Sequence, residues 1–220
     1  MISVYISGSV SGLGASLYSA LRKKSLFITV IGRTKPINLR PQDKFLRLDL
    51  SKNIEFDAVI LPGTSKVIFF SNAGVIEPID AACNISPNNF RKNGNVNFFS
   101  PFFIAAKLAQ ATNLINIPFY VINISSGAAS TPIAGWSGYC SSKAAIKIAL
   151  DCMAVENKHM TLVHVDPGAM DTNMQRLIRR DESQRHDQEK YFTDLRDQQL
   201  LKKPNEVAED IVQSFEELLR

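Results

Sequence analysis

The chain reads as an α/β protein built on a doubly wound parallel sheet of six strands. Two observations predict this. Short β-rich runs alternate with longer helical patterns along the chain, and such alternation builds a parallel sheet covered on both faces. Two of the runs, Val67-Ile68-Phe69-Phe70 and Phe119-Tyr120-Val121-Ile122, are apolar throughout, as doubly covered central strands should be. No internal repeat or linker breaks the 220 residues, so residues 1–220 are expected to form a single domain.

The first strand is expected over Ile2–Ser7. It leads into Ser7-Gly8-Ser9-Val10-Ser11-Gly12-Leu13-Gly14, which opens a helix over Gly12–Lys24. Glycines there let the backbone turn tightly and approach a pyrophosphate on the positive helix N-terminus. A structural turn and cap would use the same residues. A second strand, Leu26–Ile31, ends at Gly32-Arg33 with no carboxylate and with Lys35 nearby. An acidic residue at that place suits a ribose 2′-hydroxyl, and an arginine suits a 2′-phosphate. Arg33 therefore favours NADPH over NADH, the alternative being a plain surface arginine. The stretch from Arg33 to Asp49, Pro-broken and short, has no room for a full helix before and after the strand Lys44–Leu48.

A strand over Lys66–Ser71 ends at Asn72-Ala73-Gly74, small residues that suit close nucleotide packing or a simple turn. A long helical pattern, Pro87–Asn113, leads to the strand Pro118–Ile124 and then to Ser126. Thirteen residues on, Tyr139 opens the helix Gly138–Glu156, with Lys143 one turn later on the same face. An ammonium one turn from a phenol is expected to lower its pKa and make it a proton donor or acceptor for a carbonyl–alcohol pair. Such a pair also arises by chance on amphipathic helices. The last strand, Thr161–Val165, ends at Asp166-Pro167-Gly168-Ala169-Met170-Asp171-Thr172. Ligands bind beyond the carboxyl ends of strands in open α/β sheets, and five strand-end motifs on one edge are hard to explain as turns alone. Residues 171–203, charged and Gln-rich, read as a helical flap or a mobile loop; Tyr191, Phe192 and Leu195 with Trp136 would form an apolar substrate wall or simply pack the flap. A final helix is expected over Pro204–Leu219.

Composition narrows the function classes. Hydrophobic content of 45% and charge of 21% are those of an ordinary globular protein. A net charge of +4, dispersed along the chain, argues against a nucleic-acid partner. Arg22-Lys23-Lys24 reads as a solvated helix end. The three cysteines, Cys83, Cys140 and Cys152, have no metal-like spacing and read as reduced thiols of a cytoplasmic protein. No signal peptide is expected, and no run reaches the ~18 apolar residues of a membrane span.

Taken together, these motifs resemble those of the short-chain dehydrogenase/reductase family over nearly the whole chain. Ser7–Gly14 is similar to the family's T-G-x-x-x-G-x-G loop, with Ser for Thr, and Ser71-Asn72-Ala73-Gly74 to its N-N-A-G. Asn97 falls where the family places a helix Asn that anchors a water near the lysine. Ser126, Tyr139 and Lys143 match its catalytic Ser-Tyr-Lys, and Pro167-Gly168 with Thr172 its P-G-x-x-x-T at the nicotinamide amide. Asp49-Leu50 stands at its adenine contact. The resemblance implies a Rossmann-type fold and catalysis by Asn97, Ser126, Tyr139 and Lys143. It also implies NADP(H) held by Gly8, Ser11, Gly12, Leu13, Gly14, Arg33, Asp49, Leu50, Asn72, Ala73, Gly74, Tyr139, Lys143, Pro167, Gly168 and Thr172. Ser11 stands where NADPH-binding relatives often carry Arg, which leaves the 2′-phosphate mainly to Arg33. The family's usual seventh strand is not expected. Gly135–Cys140 and Met170–Gln175 are most similar to sepiapterin and benzil reductases, which implies a small-molecule carbonyl substrate. The helices 87–113 and 138–156 would build a homodimer or homotetramer. The alternative is a catalytically silent NADP(H)-binding sensor or scaffold of the same fold.

Overall fold

The computed structural model describes residues 1–180 and 187–220. Six parallel strands, β1 (Ile2–Ser7), β2 (Phe27–Gly32), β3 (Lys44–Arg47), β4 (Lys66–Ser71), β5 (Phe119–Ile124) and β6 (Met160–Val165), lie in the order β3-β2-β1-β4-β5-β6. This is the Rossmann-type sheet the sequence predicts, and no seventh strand occurs among the described residues. The chain winds outward from β1, then returns to β1's other side as β4. The order reverses there, and β1 and β4 pair as far as Ile6↔Phe70. The crevice at this switch point is where such sheets bind ligands.

The period-2 alternation of β4 explains the two cores. Ile68 and Phe70 face a cluster with Leu13, Leu17 and Leu21 of α1 (Gly12–Leu21) and Val207 and Ile211 of α7 (Pro204–Ser214). Val67 and Phe69 face Ile104 and Leu108 of α3 (Ser100–Leu114) and Ile146 and Leu150 of α4 (Ser137–Glu156). Each fully buried Leu, Ile or Phe side chain contributes about 1.5–3 kcal/mol. The apolar runs of β4 and β5 are therefore central strands, as their composition requires.

The expected helix over Pro87–Asn113 is helical throughout but not uniform. It comprises α2 (Pro87–Gly94), a wide π-helical turn (Asn95–Phe99) and α3. Pro101 explains the wide turn: it has no N–H for the carbonyl of Asn97, and its ring crowds that carbonyl. Between β2 and β3 a staple replaces the missing helix. The Arg40 guanidinium donates to both Asp43 oxygens at 2.8 and 2.9 Å and to the carbonyls of Arg22 and Leu26 at 2.6 and 2.8 Å. Tyr18 donates to Asp43 as well, at 2.8 Å.

α1 stops at Leu21, short of the basic run. Lys23 and Lys24 lie just beyond it, paired with Glu209 and Glu216 at 3.7 and 3.5 Å. The expected flap holds two helices, α5 (Asn173–Arg180) and α6 (Asp187–Asp197), and its residues 181–186 lie outside the described residues. A bridge clasps its two ends. Asp171 N donates to Lys202 O, and Lys202 N to Ala169 O, each at 3.0 Å. The last helix ends at Ser214 and gives way to turns. Among the described residues no helix is long and apolar enough to cross a membrane.

Candidate active site

The glycine loop is fixed by what it touches. Gly8 has φ +70°, and a Cβ there would lie 2.9 Å from Ala73 Cα. A Cβ on Gly14 would collide with the Gly8 carbonyl and the Asn72 amide. Asn72 Nδ2 donates to Gly8 O at 2.8 Å and Ser7 O at 3.1 Å. Ser7 Oγ accepts from the backbone N–H groups of Asn72 and Ala73, both at 3.0 Å. The ends of β1 and β4 are thus stitched together, with bare backbone and the N-terminus of α1 facing the crevice. Across it, Thr172 Cγ2 would sit 3.3 Å from a Cβ on Gly12, whose φ is +52°. This cradle fits the pyrophosphate of a dinucleotide: backbone approaches closely and the helix dipole favours the charge. Ser11 stands at the N-cap position in extended conformation, makes no side-chain capping bond, and is exposed. Leu13 is 5% exposed and belongs to the core, so its expected cofactor contact falls to its backbone.

At the adenine end, Arg33 is exposed beyond β2, and nothing lies within 4 Å of a Cβ placed on Gly32. The Asp49–Ser51 loop hangs from the long helix: Ser100 Oγ donates to Leu50 O and Asn95 Nδ2 to Ser51 O, each at 2.9 Å. Asp49 accepts from the hydroxyl of Ser51 at 2.7 Å. That bond holds its carboxyl below the usual range, with Arg33 adding a smaller pull. Leu50 is buried in the core, so it too offers only backbone to a cofactor.

Ser126, Tyr139 and Lys143 meet on the same edge, beyond β5. Tyr139 and Lys143 occupy the first turns of α4 and are 7% and 5% exposed. Lys143 Nζ donates to Ile124 O at 2.7 Å and lies 5.8 Å from the Tyr139 ring centroid. Ser126 caps the short turn Gly127–Ala129, accepting from Ala128 N at 3.2 Å. The expected tuning of the phenol by the ammonium is not what this arrangement produces. Burial pushes Tyr139 up to about 12; a hydrogen bond from Ser126 opposes it, and Asp166 adds to it. Burial pulls Lys143 down to about 8, with Asp166 opposing. Desolvation outweighs the pair interaction because the dry site penalises both charged forms.

Asn97 is 2% exposed on the wide turn. Its Oδ1 accepts from Val75 N at 2.9 Å, and its Nδ2 donates to Val75 O at 2.8 Å. Asn97 Oδ1 and Lys143 Nζ would lie 3.4 and 4.0 Å from a Cβ on Gly74, so Gly74 leaves the space between them open. Pro167 is buried. Gly168 has φ +72°, and its N–H donates to Asp166 Oδ1 at 2.9 Å.

The apolar wall differs from the expected one. Trp136 does pack on Tyr139, edge-on at 5.9 Å. The rest comes from Ile76, Ala128 and α5, through Ile178 and Met174. Tyr191 on α6 is 55% exposed and Leu195 half-buried, while the side chain of Phe192 lies outside the described residues. α5 is short and strongly charged, so its two apolar residues on one face were easy to overlook. Sequence reasoning named Ser7 and Asp166 only as members of their motifs, and it passed over Asn93 and Pro101. Only Pro101, a proline inside a helical pattern, carried a signal that could have found it.

The chain matches the short chain dehydrogenase family over residues 3–183. Among its relatives, a benzil reductase ((S)-benzoin forming) of Bacillus cereus is 28% identical over 227 residues, covering 94% of this chain and 91% of the relative. A sepiapterin reductase of Bos taurus is 28% identical over 120 residues, 53% of this chain and 45% of the relative. A solved short chain dehydrogenase/reductase from Saccharomyces cerevisiae shares the fold with a TM-score of 0.78 at 22% identity, over 93% of this chain and 86% of that one. The chain belongs to the short chain dehydrogenase family, whose members use NAD(H) or NADP(H); it is an oxidoreductase acting on CH–OH or C=O groups.

Proposed function

We propose that the protein is an NADPH-dependent reductase of ketones and diketones of aromatic or bicyclic, benzil- or sepiapterin-like type. The observation that carries this reading is Tyr139: a neutral phenol, bonded to Ser126 and flanked by Lys143, on an apolar wall at the sheet's carboxyl edge. Gly8, Ser11, Gly12, Gly14, Asn72–Gly74, Pro167, Gly168 and Thr172 would hold the dinucleotide, with the backbone of Leu13 and Leu50, Asp49 at the adenine end and Arg33 at the 2′-phosphate. When bound, the nicotinamide supplies the hydride. Ser126 donates to the carbonyl oxygen and stabilises the charge developing there. Tyr139 Oη gives that oxygen its proton; a phenol pushed up to about 12 keeps its proton at neutral pH and releases it only to a strong base such as an alkoxide. Lys143 would hold the nicotinamide ribose, and its ammonium stabilises the phenolate left behind. Asn97 keeps the far side of Lys143 in order for proton return.

Ile76, Ile178, Met174 and Trp136 favour apolar substrates with flat rings. The three cysteines are free thiols, which suits a cytoplasmic enzyme. Phe99 and Phe103 on the long helix and Ile148 and Val155 on α4 are exposed, an apolar surface that suits a homodimer or homotetramer through these helices. Light scattering at a monomer mass would refute that assembly.

The test is cofactor oxidation against a panel of aromatic diketones, pterins and quinones, with NADPH and NADH in parallel. Turnover of diketones or pterins with NADPH is expected. Preference for small polar ketones would overturn the substrate class. NADPH binding without oxidation by any carbonyl would favour the silent-sensor alternative.

A further inference from the structure

The geometry points to Asn93 as a positioning residue that sets the catalytic turn of α4 against Asn97. Asn93 is the last side chain of α2 to face inward, and it is 1% exposed. Its amide is bonded on both sides of the seam between α2 and α4. Nδ2 donates to Glu77 O at 2.8 Å and Val75 O at 3.2 Å, in the segment that follows Gly74. Oδ1 accepts from Asn97 Nδ2 at 2.9 Å and from Ser142 Oγ at 3.1 Å. Ser142 immediately precedes Lys143. Gly138, which immediately precedes Tyr139, lies so close that a Cβ on it would be 3.5 Å from Asn93 Cγ. One neutral amide therefore touches the residues next to both Tyr139 and Lys143, and it bonds Asn97 directly.

A buried amide makes a specific positioning device. Nδ2 is spent on Glu77 O and Val75 O and Oδ1 on Asn97 and Ser142, so a slip of α4 along α2 would part Ser142 from an amide that is otherwise held fixed, at a cost of about 0.5–1.5 kcal/mol. Ser142 has one hydroxyl hydrogen, and it shares that between Asn93 Oδ1 across the seam and Tyr139 O of its own helix, 3.0 Å away. Without Asn93, the catalytic helix keeps its fold but loses its register to Asn97. Misplacement of this kind lowers turnover rather than dinucleotide affinity, which rests on the glycine cradle.

The charged group acting on Lys143 is Asp166 beyond β6, and the Tyr139 ring lies beneath its amine. α2 and the wide turn bring only the neutral amides of Asn93 and Asn97 to this side. The inference rests on the Ser-Tyr-Lys reading above, so its test includes a readout without turnover: the titration of the Lys143 amine by nitrogen-15 NMR in the dinucleotide-free protein.

Asn93→Ala is expected to fold, to lose about 10- to 100-fold in kcat, and to change the NADPH Kd less than about threefold, a smaller effect than any direct contact gives. Its Lys143 titration and the alkaline limb of its pH–rate profile are expected to move upward as water enters the seam. Ser142→Ala, too small a change to threaten the fold, is expected to move both in the same direction by less. If folded Asn93→Ala keeps wild-type kcat and the wild-type Lys143 titration, the inference is overturned. If Asn93→Ala does not fold, an unchanged kcat and titration in Ser142→Ala overturns it equally. If no carbonyl is turned over by the wild type yet the Lys143 titration moves in Asn93→Ala, the positioning stands and the proposed reaction falls.

Discussion

The two ends of the dinucleotide site are built by opposite means. At the β1–β4 switch point, Ser7, Asn72 and Asn97 are tied to backbone at 2.8–3.1 Å, and Gly8 and Gly14 have no space for a Cβ. At the end of β2, recognition would rest on Arg33, an exposed side chain on an open Gly32. The switch-point end is over-determined, so single changes there should be severe. The other end depends on one solvated charge, whose contribution is smaller and screened by salt. On the proposed reading, position and chemistry are built in with the fold, while cofactor choice would be added at its rim.

The largest expected effect at the rigid end belongs to Tyr139→Phe. Removing the proton donor should lower kcat by about 10²- to 10⁴-fold, with NADPH binding by fluorescence titration unchanged. Lys143→Met comes next, and it separates activity from stability. The folded pKa of Lys143, about 8, lies below its ordinary 10.5. The unfolded chain therefore binds the extra proton between those values. Lys143's contribution to stability is full above pH 10.5, falls as pH drops toward 8, and stays low below it. At pH 7 the buried amine costs about 3 kcal/mol by this linkage. Lys143→Met should thus melt higher than wild type at pH 7, lose that advantage above pH 10.5, and turn over more slowly than wild type at both, by less than Tyr139→Phe.

Gly14→Ala tests the cradle itself. A Cβ there meets the Gly8 carbonyl and the Asn72 amide, and such overpacking costs about 1–3 kcal/mol. A lower Tm and weaker binding of both NADPH and NADH are expected. The smallest effect belongs to the open end. Arg33→Ala should weaken NADPH by about 10-fold, in line with loss of a charge-assisted bond of about 1.5 kcal/mol, and leave NADH unchanged. An equal loss for both cofactors would erase the contrast between the two ends.

The contrast also marks how far the sequence can be read. The strand runs and strand-end motifs were legible because alternation and glycine placement follow directly from parallel-sheet geometry. β4 could hardly be other than a central strand. Tyr139 and Lys143 were placed together by the 3.6-residue period alone. The direction of their titration was not legible: helical spacing gives their separation, but their burial depends on Trp136, Ile178 and Ala128, which only the fold brings in. Asn93 was invisible for a similar reason. An Asn in a polar stretch such as Pro-Asn-Asn-Phe-Arg-Lys-Asn-Gly reads as a solvated helix face, and only the packing of α2 on α4 turns it inward. The apolar wall is expected from Tyr191, Phe192, Leu195 and Trp136, but Tyr191 on α6 is 55% exposed, and Ile178 and Met174 of α5 stand beside Trp136 instead.

The central claim is that Tyr139 protonates a carbonyl that receives the nicotinamide hydride. The direct measurement is a single-turnover reaction of 4-deuterated NADPH with an aromatic 1,2-diketone, comparing wild type with dinucleotide-saturated Tyr139→Phe. Deuterium at the carbinol carbon from wild type, with formation slowed about 10²- to 10⁴-fold in the variant, is the expected result. Deuterated product forming at the wild-type rate from Tyr139→Phe would contradict the account.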